Sequence, residues 1–173
     1  MSTSKSADGA LRTARLVLRG PKEHDLDAMH RVYSDPYAMR YWATLPHPDR
    51  ATTKELLDRR IAHWAQQQTN FQITLDGAWI GNVGLFTGHE IGFMLDPAHH
   101  RKGYVSEALA VVLPAVFART GHPRLMADID PRNAASAATL RKFGFRETHR
   151  AKNTYLIGGV WFDSAYFALD RPT

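Results

Sequence analysis

The chain of 173 residues contains no cysteine. That excludes disulfides, a thiolate-ligated zinc site and a cysteine nucleophile, and it fits a reducing compartment, so a cytoplasmic protein is expected. No apolar run approaches the roughly 18 residues of a membrane span. The opening MSTSKSADGA has no apolar stretch of the kind a secretory signal carries. There is no internal repeat, no linker and no low-complexity tract beyond the first residues. One domain over residues 11–173 is therefore expected, preceded by a disordered arm over 1–10. A long Lys/Arg run is missing too, although the formal net charge is +5 and the pI ≈ 9.7. Such a balance favours anionic partners, and without a run the alternative is excess charge spread over solvated faces.

What is present is a regular alternation of short strands and amphipathic helices. Leu16 and Leu18 alternate with arginines in a first strand over about 15–19. A first helix follows His24 and Asp25, carries Leu26, Met29 and Tyr33 at helical spacing, and ends at Asp35-Pro36. An aromatic connection leads to a second helix, expected to start at a capping box from Thr52 to Glu55, with Leu57, Ile61 and Trp64 on one face. Phe71, Ile73 and Leu75 mark a second strand, closed by an Asp76-Gly77 hairpin turn. The third and fourth strands are expected over about 79–86 and 90–95. A third helix begins near Tyr104 with Pro114 as an internal kink. A fifth strand at about 125–129, a helix over 135–143 stopped by Gly144, and strands at about 146–150 and 161–169 complete the chain. This order makes the fold α/β with a mixed sheet.

The most informative stretch is residues 90–108, EIGFMLDPAHHRKGYVSEA. An apolar strand feeds a Pro-broken basic loop, a glycine and a helix start. Backbone N–H groups of a first helical turn converge on one spot where the helix dipole is positive, which makes an anion site. His100, Arg101 and Lys102 add charge and donors beside Gly103, and the amides from Arg101 through Tyr104 and Val105 to Ser106 would face a phosphate or pyrophosphate.

This block, the opening ARLVLRGPKEHDLDAMHRVYSDP and the segment NAASAATLRKFGF at 133–145 together resemble the GNAT superfamily of acyl-CoA-dependent N-acyltransferases. Within it they resemble the branch of ribosomal-protein N-terminal (Rim-type) acetyltransferases. In register, His100 takes the Gln/Arg position of the cofactor loop, Gly103 the first glycine and Val105 the Gly/Ala position. Arg101 stands where many relatives have a further glycine.

The resemblance implies a mostly antiparallel, seven-stranded sheet flanked by about four helices and splayed between its fourth and fifth strands. It implies acetyl-CoA as acyl donor, with the pantetheine arm against Phe93, Met94 and Leu95 and near Asn133, and with a backbone N–H near Met94 polarising the thioester. The tyrosine acid of other members would fall at Leu140, which leaves Ser136 beside the leaving thiolate. Glu90 opens the splayed strand and is the first choice of base, ahead of its neighbour His89, which must face the other side of a regular strand. Asp128 and Asp130 bracket the end of the fifth strand. Tyr37, Tyr41 and Trp42 form an expected acceptor wall.

No His, Asp and Glu spacing indicates a metal. The implied activity is acetyl transfer to a primary amine, of a protein N-terminus or a small molecule, by direct attack in a ternary complex. A non-catalytic CoA-binding or sensing protein and a nucleic-acid-binding module are the alternatives. Monomer and homodimer both remain open.

Overall fold

The computed structural model describes residues 9–173. Of the arm expected over 1–10, residues 1–8 lie outside the described residues, while Gly9 and Ala10 are buried. The described residues form a mixed sheet of eight strands with five helices, one strand and one helix more than expected. The strand order is β1-β2-β3-β4-β5-β6-β8-β7. The added strand is β1 (Leu11–Arg12), which pairs with β2 (Leu16–Arg19). Two residues are too few to show a periodicity.

The added helix is α2 (Pro36–Met39), after α1 (Leu26–Tyr33). Asp35-Pro36 does stop α1. The same pair also starts α2, because the Asp35 carboxylate accepts the Tyr37 N–H and Pro36 sits at the first helical position, where no N–H is needed. α3 (Arg50–Gln67) begins two residues before the Thr52–Glu55 box. Asp49 caps it instead, accepting the Thr52 N–H at 2.8 Å.

β3 (Asn70–Leu75) and β4 (Ala78–Thr87) form the expected hairpin, with Asp76 and Gly77 both at positive φ as a two-residue primed turn requires. β5 (Glu90–Leu95) is followed by α4 (Tyr104–Thr120), which runs through Pro114 without interruption, Pro114 lying on its exposed side. β6 (Arg124–Ile129), α5 (Ala134–Lys142), β7 (Arg146–Ile157) and β8 (Val160–Asp170) complete the fold. β7 is much longer than expected, because pairing with β8, rather than hydrophobic alternation, extends it.

Pleating divides the core. Val83, Leu95 and the α4 residues Leu109, Val112 and Val116 meet on one side. Met94, with Trp79, meets Met29, Val32 and Leu57 of α1 and α3 on the other. Among the described residues β5 and β6 are the only parallel neighbours, and they share a single register pair, Glu90 with Met126. Beyond that pair the two strands diverge and a cleft opens. Among the described residues no helix is long and apolar enough to cross a membrane.

Candidate active site

The anion loop leaves β5 at Leu95. Asp96 accepts the Ala98 N–H at 2.9 Å, and the His100 ring donates from Nε2 to the Leu95 carbonyl at 3.0 Å, which ties the loop back to the strand. Arg101 and Gly103 then take left-handed backbone, φ +62° and +80°. Left-handed backbone of this kind at a helix N-terminus is the setting in which successive N–H groups can be turned toward one anion. Arg101 thus holds a conformation that favours glycine, at a cost of roughly 1–2 kcal/mol. A Cβ on Gly103 would meet only Arg15 Nη2, at 3.6 Å, so the space above it is open among the described residues.

A cleft starts from this loop. His100, Arg101, Gly103, Tyr104, Val105 and Ser106 line its loop end, Phe93, Met94 and Leu95 its β5 wall, and Asn133, Ser136 and Thr139 its α5 side. Val105 also packs against the main core. Lys102 does not line the cleft, and its Nζ donates to the Ala98 carbonyl at 3.1 Å.

Strand alternation corrects the backbone donor. Asp96 N–H reaches the Ile80 carbonyl, on the β4 side of β5, at 2.8 Å. Met94 stands two residues earlier, opposite Asn82, so its amide faces β4 as well. The amides directed into the splay are those of Phe93 and Leu95.

A second cavity lies where β5 and β6 separate, between Glu90, Asp128, Asp130 and the aromatic side chains Trp42, Phe86, Tyr155 and Phe162. Glu90 is half-buried there and accepts no hydrogen bond among the described residues. Burial first, and then the Asp128 carboxylate, pushes its carboxyl above the ordinary value, with His89 opposing. His89 does not line the cavity; its ring meets His122, centroids 6.0 Å apart. The other carboxylates are engaged. Asp128 accepts the Tyr155 hydroxyl at 2.7 Å. Against burial, which acts upward, Arg132 holds Asp130 below its ordinary value, and the two groups are 2.5 Å apart.

Five residues line both spaces: Tyr41, Trp42, Phe93, Asn133 and Ser136. Asn133 caps α5, accepting the Ser136 N–H at 3.1 Å. Capping therefore falls to Asn133, and the Ser136 hydroxyl is free to face the junction. Leu140, one turn further along, is fully buried at the cavity floor. Tyr37 lines neither space. It is exposed, with the Arg40 guanidinium 3.8 Å from its ring centroid.

Several residues of the site left no local signal in the sequence. Phe86 and Phe162 sit in stretches read only as strands, and Tyr155 lies beyond the expected 146–150 strand, in the part that β7 adds. Arg15, next to Gly103, is held by Glu107 at 2.6 Å across ninety-two positions of sequence. Among the described residues no group of three or more side chains could hold a metal ion.

With this geometry in view, comparison with known proteins is informative. Residues 15–146 match the family described as acetyltransferase (GNAT) domain, in agreement with the resemblance carried by the motifs. A probable N-acetyltransferase of Bacillus subtilis, YjcK, is 37% identical over 104 residues, 56% of this chain and 58% of that protein. The [ribosomal protein uS5]-alanine N-acetyltransferase of Escherichia coli is 33% identical over 90 residues, 51% of this chain and 46% of that protein. The chain thus aligns with about half the length of these two curated relatives. A GNAT-family acetyltransferase structure from Bacillus anthracis superposes with TM-score 0.80 at 26% identity, covering 93% of this chain and 98% of that one.

Proposed function

The chain belongs to the GNAT acetyltransferase family, and from that premise we propose that it transfers the acetyl group of acetyl-CoA to a primary amine within a ternary complex. One observation carries the reading: a cleft that begins at an anion nest and a cavity that holds an unbonded carboxylate meet at Ser136 and Asn133. Phosphates at one end and an ammonium at the other would bring thioester and amine together at that junction.

The roles follow from position. The nest over 101–106 and the α4 dipole hold the pyrophosphate, with Arg101 and Arg15 as added charge. The pantetheine amides pair with the splayed edge of β5 as an added strand would. Glu90 takes the proton of the acceptor ammonium, directly or through one water, and its raised pKa brings it nearer the range where a carboxyl both accepts and releases a proton. The amine nitrogen then bonds to the thioester carbon, and the resulting oxyanion takes a hydrogen bond from the Phe93 or Leu95 amide. Collapse of the tetrahedral intermediate breaks the carbon–sulfur bond, the second proton lost by the nitrogen passes to the departing sulfur or to solvent, and the Ser136 hydroxyl donates a hydrogen bond to the departing thiolate. Trp42 and Tyr41 close the acceptor side.

Two measurements test the proposal. Acetyl-CoA at millimolar concentration raises the melting temperature, because a ligand that binds only the folded state stabilises it by mass action. An amine panel then accelerates release of the CoA thiol. Absence of a thermal shift refutes the donor. A shift with no amine-dependent release would favour a binding or sensing protein instead.

A further inference from the structure

The acceptor class is written into the cavity on the Glu90 side. Its walls carry four carboxylates, Glu90, Asp128, Asp130 and Asp163, but three of them are already served. Asp128 accepts the Tyr155 hydroxyl, Asp130 the Arg132 guanidinium, and Asp163 the Asn153 N–H at 3.0 Å. Arg132 also faces Asp163. Glu90 alone, among the described residues, has no hydrogen-bond donor. Glu90 is therefore the carboxylate that an ammonium reaches without sharing it with a protein donor.

Much of the remaining lining is apolar, apart from Tyr41, Asn133 and Ser136 at the junction. Trp42 and Phe86, whose rings are 5.6 Å apart, form one side. Tyr155 and Phe162 are cross-strand partners on the β7–β8 hairpin and form the other. Ile157 continues that hairpin face outward to its partner Val160, which is exposed. The connection and the hairpin approach each other at the rim, where Leu45 stands beside Gly158. Aromatic faces attract an ammonium, and the apolar walls reward an apolar body attached to it. The volume, ≈ 170 Å³, is close to that of a cavity of about 150 Å³ that admits one benzene ring.

We infer that the acceptor is a monocationic primary amine whose ammonium-bearing carbon carries a compact apolar or aromatic group, with the Glu90 carboxylate reading the ammonium and Phe86 and Phe162 reading the group. This rests on the transferase reading and adds the substrate class to it. It disfavours polyamines and polycationic aminosugars, whose further charges and hydroxyls would desolvate against aromatic walls.

Thiol release is read with a disulfide reagent, free of protein background because the chain has no cysteine. Phenylalaninamide, glycinamide, spermidine and kanamycin serve as acceptors. Phenylalaninamide is expected to exceed glycinamide, spermidine and kanamycin in kcat/KM by roughly tenfold or more, the discrimination that burying an apolar group in a pocket supports. Phe162→Ala and Phe86→Ala each lower the ratio of phenylalaninamide to glycinamide turnover by a similar factor. Preference for spermidine or kanamycin, or a ratio unchanged in both variants, overturns the inference while leaving the transferase intact. If no amine is turned over, the transferase reading fails by itself. Titration of the CoA-bound protein with phenylalaninamide and with spermidine, followed by tryptophan fluorescence through Trp42, then decides the pocket: saturation by phenylalaninamide at lower concentration supports it, and the reverse order or no saturation overturns it.

Discussion

Replacing Glu90 by Gln removes the one carboxylate of the β5–β6 cavity that has no hydrogen bond among the described residues, and keeps its shape. The size of the effect follows from the amine. An alkyl ammonium with an ordinary pKa near 10.4 is neutral in only about one molecule in 2,500 at pH 7. With no base the reaction must wait for that fraction. With Glu90 as base it need not, and general-base catalysis is commonly worth about 10²–10⁴-fold. Turnover at pH 7 should therefore fall by about 10²-fold or more, equivalent to about 2.7 kcal/mol of transition-state stabilisation. The deficit should shrink by up to about tenfold for each pH step toward the amine pKa, because more acceptor arrives already deprotonated. A peptide α-amine, with pKa near 7.7–8.0, starts from a larger neutral fraction and so shows a smaller, earlier-closing gap.

Stability moves in the opposite direction. The Glu90 carboxyl is held above its ordinary value by burial and then by Asp128. Its ionised form therefore costs folding free energy, which is absent below the ordinary carboxylate range and felt once pH rises through the folded-state value. Glu90→Gln should melt higher than the parent at pH 7 and equally at pH 4. Thiol release, calorimetric acetyl-CoA affinity and melting curves over pH 4–10 separate these terms. Full activity at every pH refutes the base assignment. Lost activity together with a lower melting temperature and weaker acetyl-CoA binding refutes it as well, since that pattern means a damaged site.

Ser136→Ala should slow turnover without altering the pH profile, because the CoA thiolate can also leave unprotonated near neutrality; a changed profile would mean that the hydroxyl takes part in deprotonating the amine. Gly103→Glu should lower acetyl-CoA affinity by at least about 100-fold in calorimetry, since it adds a like charge to an anion nest. The left-handed backbone at that position should cost a further ~1–2 kcal/mol of stability, and wild-type affinity would put the phosphates elsewhere. Arg19→Met tests the scaffold. Asp25 is 1% exposed and receives both arms of the Arg19 guanidinium, at 2.7 and 2.8 Å. Leaving that carboxylate without its guanidinium, with the Lys22 N–H and the exposed His24 ring still beside it, should cost about 3 kcal/mol, or a fall in melting temperature of about 10 °C, measured by differential scanning calorimetry; a fall under about 2 °C would show that these groups and water serve Asp25 equally well.

Local chemistry alone marked the glycine loop before α4, the Asp76-Gly77 turn and the helices with strong apolar faces. Each rests on residues a few positions apart: Gly103 before Tyr104, two turn residues at positive φ, Leu109 with Val112 and Val116. Tertiary structure decided whatever depends on partners distant in sequence. β1 exists because β2 lies beside it, and β7 is long because β8 is. The amides facing the splay belong to Phe93 and Leu95, since hydrogen-bond parity is set by β4 across the hairpin. Tyr37 points to solvent while Trp42, five residues later, walls both spaces. The sequence singles out Glu90 by its place on the splayed strand, but it does not show which of Glu90, Asp128, Asp130 and Asp163 keeps its carboxylate unbonded. Only folding brings Tyr155, Arg132 and Asn153 to the three aspartates and leaves Glu90 alone, because hydrogen bonds across strands join residues that the order of the chain keeps apart.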